Sequence, residues 1–118
     1  MAKPDAYLDF LLEHFSPLGK IHARAMFGGH CLYCNGIVFA LVADQAVYLK
    51  ADEVNRPAFE ALGLKPFRPF PDSDVVMKYY PAPAETFESA DGLGEWAGGA
   101  VAAGRRSGKP AKRKKAVS

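Results

Sequence analysis

Residues 32–39 read Leu-Tyr-Cys-Asn-Gly-Ile-Val-Phe, two β-prone runs meeting at Asn35-Gly36. Asn-Gly suits both central positions of a type I′ turn, which need φ > 0. The chain must therefore double back here as a tight antiparallel hairpin. That turn sets Cys34 opposite Ile37, Tyr33 opposite Val38 and Leu32 opposite Phe39. Side chains alternate between the two faces of a strand, so the register also decides which residues share a face. Ile37 to Val42 is apolar at every position. Such a run suits a central strand covered on both sides.

The remaining elements follow from period and punctuation. Leu8, Leu11, Leu12 and Phe15 fall at i, i+3, i+4 and i+7, which predicts a helix over Asp5–Phe15 closed by Ser16-Pro17-Leu18-Gly19. Ala23 to Tyr33 reads as extended, and its Gly28-Gly29 pair marks a bulge, a sharp bend or a close backbone approach. Val47 to Lys50 is a further strand. Asn55 is expected to cap a short helix with Pro57 in its first turn, Phe59 and Leu62 on its buried side and Gly63 just past its end. Lys65 to Phe70, with Pro66 and Pro69, reads as an edge strand, and Val75 to Tyr80 as another. The last helix is expected from about Asp91 to Gly104, with Leu93, Trp96, Ala97, Ala100 and Val101 on one stripe. Its five glycines each cost about 1 kcal/mol against alanine in a helix interior, so it depends on docking through Trp96. Helix, three strands, helix, two strands, helix implies an α+β domain with one antiparallel sheet.

Charge divides the chain. From Arg105 onward there are seven cations and no acid: Arg105, Arg106, Lys109, Lys112, Arg113, Lys114 and Lys115. Residues 1–104 hold eight basic and thirteen acidic side chains, a net of −5. The expectation is an acidic globular domain over residues 1–104 and a disordered basic tail over 105–118. Such a tail attracts polyanions without reading sequence, so the seven cations are the candidate nucleic-acid contacts. No apolar run approaches the roughly 20 residues of a membrane span, and no apolar stretch follows the first residues as in a secretory signal. The expected compartment is the cytoplasm.

Chemistry-bearing residues are sparse. Cys31 and Cys34 form a CxxC, but a turn and a strand follow it instead of the helix that would lower a thiol pKa. Positions i and i+3 on a strand point to opposite faces, which does not suit half a zinc site. Two reduced, packed cysteines are the plain reading; a redox or zinc site using Cys31, Cys34 and His30 is the chemical alternative. His14, His22 and His30 lie apart from any Ser-based nucleophile motif. Lys50 and Lys78, within apolar strands, read as snorkelling ends or as a cation pair facing a ligand. Tyr48, Tyr79 and Tyr80 read as packing or as a stacking surface for bases. No catalytic residue, cofactor or metal is expected.

Arg24-Ala25-Met26-Phe27-Gly28-Gly29, Leu32-Tyr33, Gly36, Phe39-Ala40-Leu41-Val42-Ala43-Asp44 and Tyr48-Leu49-Lys50-Ala51-Asp52 together resemble the N-terminal domain of the TfoX/Sxy proteins. Asn55-Arg56-Pro57-Ala58-Phe59, Pro66-Phe67, Met77 with Tyr79-Tyr80, Pro83 and Glu95-Trp96-Ala97 extend the resemblance over about residues 5–106. It implies a two-layer α-β3-α-β2-α fold with a five-stranded antiparallel sheet, similar to secretion chaperones. It also implies a non-enzymatic regulator of the kind that acts in bacterial competence and transcription, with a cyclic-AMP receptor protein or other transcription machinery as partner. No catalytic or cofactor-binding residue carries over from it. Regulators of the competence type have a second, helical C-terminal domain where this chain has its basic tail, so a single-domain member is expected. The alternative is a chaperone-like, homodimeric protein-interaction module with no nucleic-acid role.

Overall fold

A computed structural model describes residues 6–26, 29–43, 45–68 and 78–108. Helix α1 (Ala6–His14) leads through a 3-10 turn, Ser16–Leu18, into four strands: β1 (Ile21–Met26), β2 (Gly29–Cys34), β3 (Ile37–Ala43) and β4 (Ala46–Lys50). Helix α2 (Arg56–Ala61), strand β5 (Tyr79–Pro81) and helices α3 (Glu85–Glu88) and α4 (Ala90–Gly92) follow. Without a break, α4 passes into a π-helical segment, Leu93–Ala97, and then α5 (Gly98–Gly108). All five strands lie antiparallel in the order β1-β2-β3-β4-β5.

The α+β class and the five-stranded antiparallel sheet are those expected. Among the described residues, however, four strands precede α2 and one follows it. The expected Ala23–Tyr33 strand is two strands, because Met26 pairs with Gly29 and the chain reverses between them. Gly29 at the start of β2 also allows close approach to β3: a methyl group on it would overlap the Val42 carbonyl oxygen. Lys65–Arg68 is not a strand; it is extended chain whose Phe67 N–H donates to the Tyr79 carbonyl at 2.7 Å. Pro66 has no N–H with which to extend that contact into a ladder. Of the other segment expected as a strand, residues 75–77 lie outside the described residues.

The Asn35-Gly36 turn has φ of 51° and 85°, and it pairs Cys34 with Ile37 and Tyr33 with Val38. Leu32 then pairs with Ala40 instead of Phe39, because the register shifts by one residue. Such a β-bulge lets two successive residues serve one face. Phe39 and Ala40 accordingly both enter the main core, while Val38 and Leu41 belong to a second cluster.

The main core lies between the sheet and the helices. Leu11 and Phe15 at the end of α1 are fully buried, as their stripe implied, and Phe15 meets Phe39 edge-on at 5.4 Å. In α2, Phe59 is buried and packs on both Tyr80 and Trp96 with centroids at 5.1 Å. Leu62 is instead 56% exposed, a correction to the expected buried pair. The helix is too short to turn Leu62 inward, and Leu64, beyond the Gly63 reversal at φ 79°, packs on the core in its place.

Leu93, Trp96, Ala97, Ala100 and Val101 are all buried, as expected of one stripe. The π-helical segment includes a bond from the Gly98 N–H to the Leu93 carbonyl, five residues back. The Trp96 indole N–H donates to Glu85 Oε1 at 3.3 Å. Two of the glycines are there for close approach: a Cβ on Gly92 would overlap the Glu85 carbonyl, and one on Gly104 the Val38 carbonyl. Gly94 and Gly98 face open space. Alanine at Gly94 or Gly98 is expected to raise stability by about 0.5–1 kcal/mol through backbone entropy. Alanine at Gly104 should instead lower it by about 1–3 kcal/mol through overpacking against β3. Trp96→Ala, which empties the contact among α2, β5 and the last helix, is expected to cost about 3–5 kcal/mol. Chemical denaturation reads all of these.

Candidate functional site

Two regions of the sheet concentrate the chemistry: its helix-free face, and a groove where α5 ends beside the start of α2. Period-2 alternation makes the first. Cys31, Leu41 and Tyr79 are buried there, with Tyr33, Val38, Tyr48 and Phe67 packed around them. The rings contact one another. His22 stacks on Tyr33 at 4.9 Å and 3°. Tyr48 lies 4.5 Å from Phe67, and Lys50 Nζ sits 5.0 Å from the Tyr79 ring centre. Burial pushes the Tyr79 phenol up to about 12. Tyr80 is on the opposite face, stacked on Phe59, with its hydroxyl donating to Glu60 Oε2 at 3.2 Å. Tyr48, Tyr79 and Tyr80 thus form no common stacking surface.

Cys31 and Cys34 are buried, and neither is part of a disulfide. Cys31 belongs to the helix-free face and Cys34 to the main core, where its Sγ lies 3.4 Å from the Leu18 carbonyl oxygen. Burial raises the pKa of both, against smaller opposing effects of Arg24 on Cys31 and Arg105 on Cys34. Neither is an activated thiolate, and a sheet separates them. The His14 ring stacks on Phe10 and bonds through Nε2 to the Thr86 carbonyl at 3.1 Å.

The groove has a volume of about 540 Å³ and is lined in part by Asp52, Glu53, Arg56, Lys78, Tyr80 and Arg106. Asp52 organises it. Its Oδ1 accepts from the Val54 N–H at 2.9 Å and the Asn55 N–H at 3.4 Å, while Arg106 grips both carboxylate oxygens through Nε and Nη2. Asn55 does not cap α2 with its side chain. It staples the approach instead: Oδ1 accepts from the Asp52 N–H at 2.7 Å and Nδ2 donates to the Lys50 carbonyl at 3.0 Å. Lys50 is shifted down, first by burial and then by the charge of Lys78, against a smaller opposing effect of Asp52. Arg56 pairs with Glu60 across one helical turn at 3.7 Å.

The expected tail is corrected at its start. Arg105 and Arg106 are helical, because α5 continues to Gly108 and Arg106 is tied to Asp52. Arg105 is exposed on the same turn. Lys109, Lys112, Arg113, Lys114 and Lys115 lie outside the described residues. The Asp52–Arg106 pair spans 54 positions. Its one local signal was an acid beside a helix start, which says nothing of a partner so distant. No helix among the described residues is long and apolar enough to cross a membrane.

The family model for the TfoX N-terminal domain matches residues 13–104, from the end of α1 to the glycine of α5 that lies against β3. The chain belongs to the TfoX N-terminal domain family. Among curated proteins, none matches this sequence. The matched span covers the five described strands and ends just before the seven-cation run.

The Arg106 guanidinium holds the Asp52 carboxyl down from 3.8 to about 2, helped by the Val54 and Asn55 amides and opposed by burial. A depressed carboxylate pKa stabilises the fold above the unfolded value and loses that contribution as pH falls through the folded one. Thermal melts of wild type and Asp52→Asn are expected to differ by a constant gap at neutral pH. That gap should close as pH falls from about 4 toward 2, a range set by the shift itself.

Proposed function

We propose that this TfoX N-terminal domain is a non-enzymatic regulatory protein, working through macromolecular contacts made by its body and its basic end. Transcription machinery, including a cyclic-AMP receptor protein, is the partner class the family membership suggests. One observation carries the reading. The groups most suited to chemistry are committed to the fold: Cys31 and Cys34 to packing, the rings of the helix-free face to one another, and Asp52 to Arg106. The charge that remains for a partner is concentrated beyond Arg106 in the sequence.

In this reading the acidic body meets a protein and the cations meet a polyanion. Lys109, Lys112, Arg113, Lys114 and Lys115, with Arg105, supply sequence-independent attraction to phosphate. Arg106 contributes less, since its charge is answered by Asp52. A chaperone-like interaction module with no nucleic-acid role is the second reading, favoured by the one-sided sheet and its apolar second cluster.

Duplex DNA binding, measured by fluorescence anisotropy over a salt series, separates the two. The full chain is expected to bind weakly, with log K falling steeply in log salt. Deletion of residues 109–118 removes five cations and should abolish measurable binding while leaving the melting midpoint unchanged. Equal binding with and without that segment would remove the nucleic-acid half of the proposal.

A further inference from the structure

Arg106 belongs to two groups at once. By sequence it is the second of seven cations that run without an acid from Arg105 to Ser118. By contact it belongs to the fold, where its Nε donates to Asp52 Oδ2 and its Nη2 donates to Asp52 Oδ1 at 2.9 Å. A guanidinium fork fits two oxygens of a phosphate as it fits those of a carboxylate. Asp52 therefore takes up the donors that a phosphate would use. Three features let the pair open. The Arg106 side chain is 41% exposed, so an anion reaches it from solvent. It stands on the last turn of α5, where a change of attachment disturbs the least helix. When Arg106 leaves, Asp52 Oδ1 still accepts from the Val54 and Asn55 N–H groups, so the carboxylate is not stranded. Protons do not open the pair near neutrality, because the Asp52 carboxyl is held down to about 2.

We infer that Asp52 is a built-in competitor for Arg106: it occupies the guanidinium that otherwise grips a backbone phosphate of nucleic acid, and so holds the chain below the affinity its cations allow. The inference rests on the nucleic-acid half of the regulatory reading and adds to it a control inside the fold. The coupling runs both ways, as any linkage between two binding events must. Phosphate at Arg106 draws it off Asp52, and removing the Asp52 charge frees Arg106 for phosphate. The last turn of α5 thereby has two attachments, one to the approach to α2 across 54 positions and one to the polyanion. Glu53 supplies an internal comparison. It follows Asp52 in the chain, is exposed and lines the same groove, and among the described residues no arginine is paired with it.

Fluorescence anisotropy of the full chain with duplex DNA, over a salt series, is the test. Asp52→Asn keeps an oxygen for the Val54 and Asn55 amides but releases Arg106. It should bind about fivefold more tightly than wild type and steepen the slope of log K against log salt by about one, the mark of an added phosphate contact. Glu53→Gln removes an equal charge from the same groove without releasing an arginine. It should gain less than about twofold, with the slope unchanged, since an exposed charge that makes no direct contact is screened. In an Arg106→Gln background the advantage of Asp52→Asn over Glu53→Gln should vanish, because the two residues then no longer couple. In Asp52→Asn the NMR signal of the Arg106 Nε–H should move as duplex is added. Thermal melts check that each variant is folded at the assay temperature. Equal gains from Asp52→Asn and Glu53→Gln overturn the inference, and so does an Arg106 Nε–H signal that duplex leaves in place. Either result, with wild-type binding still lost on deleting residues 109–118, leaves the regulatory reading standing. No binding by wild type or by any variant overturns both.

Discussion

The docking of one weak helix holds this fold together. The chain from Ala90 to Gly108 contains glycine at 92, 94, 98, 99, 104 and 108, a composition that does not sustain a helix in water. What it loses in propensity it recovers in contact. Trp96 wedges against Phe59, which in turn stacks on Tyr80, so one cluster ties the last helix to α2 and β5. Gly104, with no Cβ, brings α5 against the β3 backbone at Val38. At Gly92 the same device brings the start of the helix against Glu85. The π-helical segment lies between these two close approaches, at Leu93–Ala97, and presents Leu93, Trp96 and Ala97 to the core.

Local signals carried much of this architecture. The Asn35-Gly36 turn, the Leu8-Leu11-Leu12-Phe15 stripe and the last-helix stripe were legible because each rests on residues within about two turns or one hairpin. What failed needed tertiary information. The Phe39 bulge depends on how two facing strands fill the core, and a one-residue shift leaves no mark on hydrophobic alternation. The Gly28-Gly29 pair did mark a bend or close approach, but nothing local distinguished a bend within one strand from a hairpin between two. Leu62 and Leu64 are equally apolar, and the Gly63 reversal decides which is inside. At the candidate site the charge run was plain in the sequence. Its structured beginning was not, because Asp52 and Arg106 meet only when the last helix crosses β3 and β4.

That meeting gives the two ends of the charge asymmetry a shared boundary. The domain carries its excess of acid over residues 1–104, and the first cations past it are part of the fold. Arg106 neutralises the carboxylate that anchors the approach to α2, and with Ser107 it lines the rim of the groove. Lys78 and Arg56 line that groove, and Glu53 lines it with them. Acid and base are thus mixed around it, while a run of cations without an acid lies beyond Gly108 in the sequence.

The same separation of roles bears on the sheet. Helices cover one face, the rings of the other face are spent on each other, and β5 is shielded by the chain around Phe67. Among the described residues, the outward main-chain groups of strand β1 meet no hydrogen-bonding partner, and this edge lies at the opposite side of the sheet from the groove.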